Sequence, residues 1–179
     1  MNERPNESGD LATPAMVEDV FLTDVFLIKG RLEHKTKRLS NVLEDLQRRF
    51  LAVRDATLVS LRNSEVIKTS KVMINVNELV LAHELFDVAG DDAQRRLAIN
   101  DKGSRIRAFY NGAVQFEVGG QIEPGAYEPN NPTGRRYFIM QSPKVRGIDL
   151  DHPELRILEG LDYAILRRDR MAYVYDFGA

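Results

Sequence analysis

Apolar and polar residues alternate along most of this chain, which is the period of strands that bury one face. Between residues 20 and 32, Val20, Leu22, Phe26, Ile28 and Leu32 fall on one side, with Thr23, Lys29, Arg31 and Glu33 largely on the other. This spacing predicts a half-buried strand. The period then changes: Leu39, Val42, Leu43 and Leu46 recur at helical spacing among Arg38, Asn41, Glu44 and Asp45. A short amphipathic helix, laid on the sheet as a lid, accounts for that pattern. Strand character returns at 49–61, 66–76 and 79–85, the last two separated by the turn-tolerant Asn75 and Asn77. Residues 87–104 are rich in Gly, Asp and Asn and read as a connection with one short extended piece at 96–99. Beyond it, strands are predicted at 106–110, 114–122, 137–141, 145–150, 155–158, 163–166 and 171–177.

The pattern occurs twice. Phe26, Ile28, Gly30 and Leu32, followed by Arg48-Arg49-Phe50, are echoed by Phe116, Val118, Gly120 and Ile122, followed by Arg135-Arg136-Tyr137. The closing strands match in phase, Leu79, Leu81, His83 and Leu85 against Met171, Tyr173, Tyr175 and Phe177. A unit copied once can bury its weak face against its twin. The expected architecture is therefore mainly β (α+β), with two tandem, divergent small β-barrel or β-sandwich domains, the first carrying the helix lid. The boundaries read as a disordered tail at 1–15, a first domain at 16–88, a linker at 89–104 and a second domain at 105–179. The proline- and glycine-bearing stretch 124–134 stands where the first unit has its helix. A missing lid there predicts a bare apolar sheet face in the second unit.

Composition narrows the class. The 179 residues are 43% hydrophobic and 29% charged, enough to bury a core, and cysteine is absent, so no disulfide or thiolate metal site holds the fold. The polar, acidic opening residues lack the basic start and apolar run of a signal peptide, and no stretch reaches the roughly 20 apolar residues of a membrane span. A cytoplasmic location without membrane partnership is expected. With a net charge of −2, a polyanion would need a local basic patch.

Two resemblances add to this picture. Gly30-Arg31-Leu32, then residues 38–43 (Arg-Leu-Ser-Asn-Val-Leu), then residues 49–53 (Arg-Phe-Leu-Ala-Val) with Asp55-Ala56, resemble a segment of uncharacterised bacterial proteins annotated only as a domain of unknown function. That likeness implies a bacterial source and no activity. More distantly, short strands ending in the hairpin at 75–85 resemble an Sm-like small barrel, which implies RNA binding. An Sm-like domain places its helix before the first strand, whereas here it follows.

Candidate chemistry is sparse. His34, His83 and His152 have neither the helical spacing of a zinc site nor cysteines to complete one; His83 reads as a structural strand residue and the other two as solvated loop residues. Asp149, Asp151, His152 and Glu154 form an oxygen-rich corner without the flanking helices or glycine of a calcium loop. No serine stands in a nucleophile elbow, and Gly119-Gly120 sits inside a strand pattern, where a β-bulge is expected rather than a phosphate loop. No catalytic residue, metal or cofactor is assigned, and a non-enzyme is expected.

The arginine pairs remain. Arg48-Arg49, Arg135-Arg136 and Arg167-Arg168 with Arg170 could form guanidinium forks, which suit phosphate oxygens; Arg48, Arg49, Arg135 and Arg136 recur at matching places and are the candidate phosphate-binding residues. Cyclic dinucleotide receptors built on small barrels use such a pair, but their downstream Asp/Asn-x-Ser-x-x-Gly strand is missing here. Ion pairing with Glu44, Asp45 and Asp55 is the competing role. The resulting functional expectation is an interaction or assembly module, self-associating through exposed strand edges with itself or a protein partner. Nucleic-acid or nucleotide binding through the arginines is the alternative.

Overall fold

The computed structural model describes residues 19–85 and 103–178. The expected tail at 1–15, most of the linker at 89–104 and the extended piece at 96–99 lie outside these residues. The chain is mainly β, and the ten strands of the described residues form one antiparallel sheet. They are β1 (Asp19–Leu22), β2 (Phe26–Leu32), β3 (Phe50–Ser60), β4 (Val66–Asn75), β5 (Leu81–Glu84), β6 (Ser104–Asn111), β7 (Gln115–Ile122), β8 (Tyr137–Arg146), β9 (Tyr163–Arg167) and β10 (Tyr173–Asp176), with helix α1 (Leu39–Leu43) between β2 and β3. The order across the sheet is β10-β6-β7-β8-β9-β5-β1-β2-β3-β4. Each sequential group of five is thus arranged alike, its fifth strand lying beside its first, and β9 pairs with β5 where the groups meet.

Four local expectations change. The strand predicted at 20–32 is a hairpin, because the Thr23 hydroxyl oxygen accepts from the N–H groups of Val25 (3.1 Å) and Phe26 (2.9 Å) and closes a tight turn. The strands predicted at 137–141 and 145–150 are the single strand β8, continuous through Ser142, whose φ of +48° lies in the left-handed region. The stretch at 155–158 is a 3-10 turn, Arg156–Glu159, rather than a strand. Helix α1 stops before Leu46, which is 78% exposed. The bare face expected in the second unit is covered, since Ala126, Leu155 and Leu158 pack into the core there.

Correspondence between the two groups extends to their irregularities. Asp55 and Ala56 stand opposite the single residue Gly30, and Ser142 and Pro143 opposite Gly120, so β3 and β8 carry the same bulge. Asp55 (φ +47°) and Ser142 (φ +48°) share the left-handed conformation there. A Cβ on Gly30 would lie 2.7 Å from the Arg54 carbonyl oxygen, and one on Gly120 2.7 Å from that of Gln141, so only glycine lets the bulged strand approach so closely. After β4 and after β9 the chain turns through short 3-10 segments, Val76–Glu78 and Arg168–Arg170, whose first N–H groups donate to Arg49 and Arg136 carbonyls respectively.

The sheet lies between two apolar cores. Val20 and Leu22 enter one, with Val80, Leu81, Val118, Met140 and Leu166. Phe21 enters the other, beside Leu39, Leu43, Leu51, Val53, Ala82 and Ile165. Strands β1 and β5 are consequently buried on both faces, which requires near-continuous apolar runs instead of alternation. The exception is a polar cluster at one end: Lys35 Nζ lies 2.7 Å from Asp19 and 2.8 Å from Glu84, and Glu84 accepts the Leu39 N–H at 2.6 Å. Helix α1 has no side-chain cap from its own N-cap residue, Arg38, so this remote carboxylate satisfies its first turn.

Candidate interaction surface

Of the candidate arginines, Arg136 lies where the two strand groups meet. Glu44, just past α1, accepts backbone N–H groups from Arg136 (3.1 Å) and Tyr137 (3.0 Å). The Arg136 guanidinium donates to the Leu43 carbonyl (2.6 Å) and reaches that of Asp45 (3.4 Å), which also accepts from the Arg48 N–H (3.1 Å). Arg136 thus closes the C-terminal end of α1, where carbonyls lack intrahelical donors. Arg49 and Arg135 are exposed. Arg135 lines a hollow of about 690 Å³ with Glu44, Tyr137 and Arg168. The buried Nε of Arg168 makes no hydrogen bond among the described residues.

In the third arginine cluster, Arg167 and Arg170 are held by protein groups. Arg167 is buried, donates to the Val76 carbonyl (2.6 Å) and holds Asp169 at 2.9 Å, while its guanidinium lies over the Tyr137 ring. The Asp169 carboxyl is held below its ordinary value by that hydrogen bond with Arg167. Arg170 reaches Asp24 (3.7 Å) and Glu78 (3.8 Å), and Asp24 in turn accepts from the Ala113 N–H (3.0 Å). These ties join residues far apart in sequence, and no local motif announces them. The doubled arginine at 167–168 was the available signal.

His83 is buried on β5, its ring 4.5 Å from that of Tyr163 and its Nε2 3.9 Å from Asp162. Asp149 accepts the Asp151 N–H and His152 the Glu154 N–H, so the oxygen-rich corner caps its own turn. Among the described residues no group of three or more His, Asp or Glu side chains is placed to hold a metal, and no helix is long and apolar enough to cross a membrane.

The outer strands of the sheet present the remaining chemistry. Exposed large apolar side chains concentrate there: Val66, Ile67 and Met73 on β4 with Phe50 on β3 near the Met73 end, and Tyr173 and Tyr175 on β10 with Phe177 just beyond. Both strands end the sheet order, so each has one side without a strand neighbour among the described residues. No known protein family, curated protein or solved structure matches this chain.

Proposed function

We propose that the chain is a tandem of two divergent small β-barrel domains that acts as an assembly module, self-associating through the strand edges at β4 and β10. The identical strand order, bulges and 3-10 turns of the two groups support the tandem reading. The observation that carries the assembly reading is the concentration of exposed aromatic and aliphatic side chains on these two terminal strands. Soluble proteins ordinarily blunt such edges with charge, proline or a covering loop, because an unpaired ladder templates pairing with another chain. Size exclusion with light scattering is expected to give a mass above 20.4 kDa that rises with concentration. A strict monomer at every concentration contradicts the reading.

A second reading, phosphate recognition in a nucleotide or nucleic acid through Arg48, Arg49, Arg135 and Arg136, draws support from the hollow that Arg135 shares with Arg168. Counterion release would make such binding fall steeply with salt. Single-stranded RNA titrated at low ionic strength tests it, and no binding there removes it.

A further inference from the structure

The meeting of β9 and β5 is itself an edge-to-edge joint, and each of its two halves has a counterpart that no strand adjoins among the described residues. Matching the groups through their bulges aligns Phe50 with Tyr137, and the shared ladders then align Met73 with Ile165, Ile74 with Leu166 and Asn75 with Arg167. Through the 3-10 turns, Tyr173 aligns with Leu81, Val174 with Ala82 and Tyr175 with His83. In the internal joint these positions are covered: Tyr137 is 4% exposed, Ile165 2%, Leu81 0% and His83 6%. Their counterparts are bare: Phe50 is 50% exposed, Met73 53%, Tyr173 69% and Tyr175 59%. The same positions that bury apolar surface inside the chain expose it at the two ends of the sheet.

Resting on the assembly reading above, we infer that chains join head to tail: β4 of one copy pairs antiparallel with β10 of the next, in the register of the internal joint. Ala82 faces Ile165 and Leu81 faces Leu166 inside the chain. Val174 of one copy therefore faces Met73 of the next, and Tyr173 faces Ile74. The Arg167 N–H donates to the Val80 carbonyl in the internal joint, which assigns the Asn75 N–H to the Ala172 carbonyl between chains.

Side-chain surroundings agree. Inside the chain, the segment between β2 and β3 is moored to β5 by Glu84 and meets the start of β8. The segment between β7 and β8 is likewise moored to β10, the Tyr127 hydroxyl donating to Asp176 at 3.0 Å. Residues 123–134 hold Glu123 and Glu128 and no Lys or Arg, and they would meet the start of β3 in the next copy, where Arg48 and Arg49 stand. Opposite charges across that contact favour this orientation over a pairing of two identical edges. A contact between two different edges is heterologous and leaves one edge of each kind free at the ends of the assembly.

The test uses two full-length variants, each altered only at exposed side chains and checked for folding by circular dichroism. One carries Phe50→Glu with Met73→Glu, the other Tyr173→Glu with Tyr175→Glu. Each alone is expected to lose association and run at the mass of one chain. Mixed in equal amounts, they are expected to form a one-to-one pair of twice 20.4 kDa and nothing larger, because each supplies the edge the other lacks. If the wild-type chain associates but either variant alone still dimerises, or if mixing restores nothing, the head-to-tail joint is overturned while the assembly reading stands. A monomeric wild-type chain overturns both.

Discussion

Replacing Phe21 by Ala is expected to cost about 4 kcal/mol of folding free energy, near the middle of the range for emptying a fully buried aromatic site. Phe21 is among the largest side chains with no exposure, and it lies on β1 with sheet neighbours on both sides. Its cavity cannot collapse easily, because it lies in a close-packed core with the buried Leu39 and Leu43 of α1 and Leu51 and Val53 of β3. Leu22→Ala is expected to cost about 3 kcal/mol in the other core. Since the two side chains occupy separate cores, their effects should add to within about 0.5 kcal/mol despite adjacency in sequence. Urea denaturation of the two single variants and the double variant checks this. A strong coupling, or a cost below about 1 kcal/mol for either, would contradict a β1 that is buried on both faces.

Asp19 supplies the second large effect, and its sign is opposite to that of an ordinary salt-bridged carboxylate. Burial pushes its carboxyl up from 3.8 to about 6, against the opposing pull of Lys35, and the nearby Glu84 adds to the rise. The folded state therefore holds a proton that the unfolded chain has released between those values. Stability from this group is complete below pH 3.8 and is lost as pH climbs through about 6. The shift corresponds to about 3 kcal/mol. Asp19→Asn removes the titration, so the stability of the wild-type chain relative to this variant is expected to fall by about that amount between pH 3.5 and 7. Parallel stability curves for the two proteins would show that Asp19 titrates normally.

Much of the β pattern was readable because alternation reports a half-buried strand directly. The strands at 49–61, 66–76 and 114–122 fall close to β3, β4 and β7, and the residue pairs matched by sequence, Gly30 with Gly120 and Phe50 with Tyr137, occupy matching places. Errors arose where one side chain overrides periodicity. Thr23 folds one predicted strand into a hairpin through its hydroxyl, and a bulge at the left-handed Ser142 joins two predicted strands into the single β8. Leu155 and Leu158 are spaced for one turn of helix, and a run of four residues is too short for that spacing to be told from a strand's.

The candidate surface was far less legible. Whether Tyr173 or Leu81 is covered depends on which strand lies alongside, and that is set by long-range pairing that carries no local signature. The contacts that hold Arg136 run to Glu44 and Leu43, far earlier in the chain. An arginine doublet looks the same whether it grips a carbonyl or a phosphate. What sequence did supply was the equivalence of the two groups, and that equivalence makes the exposed positions interpretable.

Sedimentation velocity of the intact wild-type chain, followed over a hundredfold range of concentration, tests the central claim most directly. Edge-to-edge assembly predicts a boundary that moves to larger species as concentration rises and returns to one 20.4 kDa chain when Phe50, Met73, Tyr173 and Tyr175 are all replaced by Glu. A single concentration-independent monomer boundary for the wild-type chain, or unchanged large species after those four replacements, would contradict it.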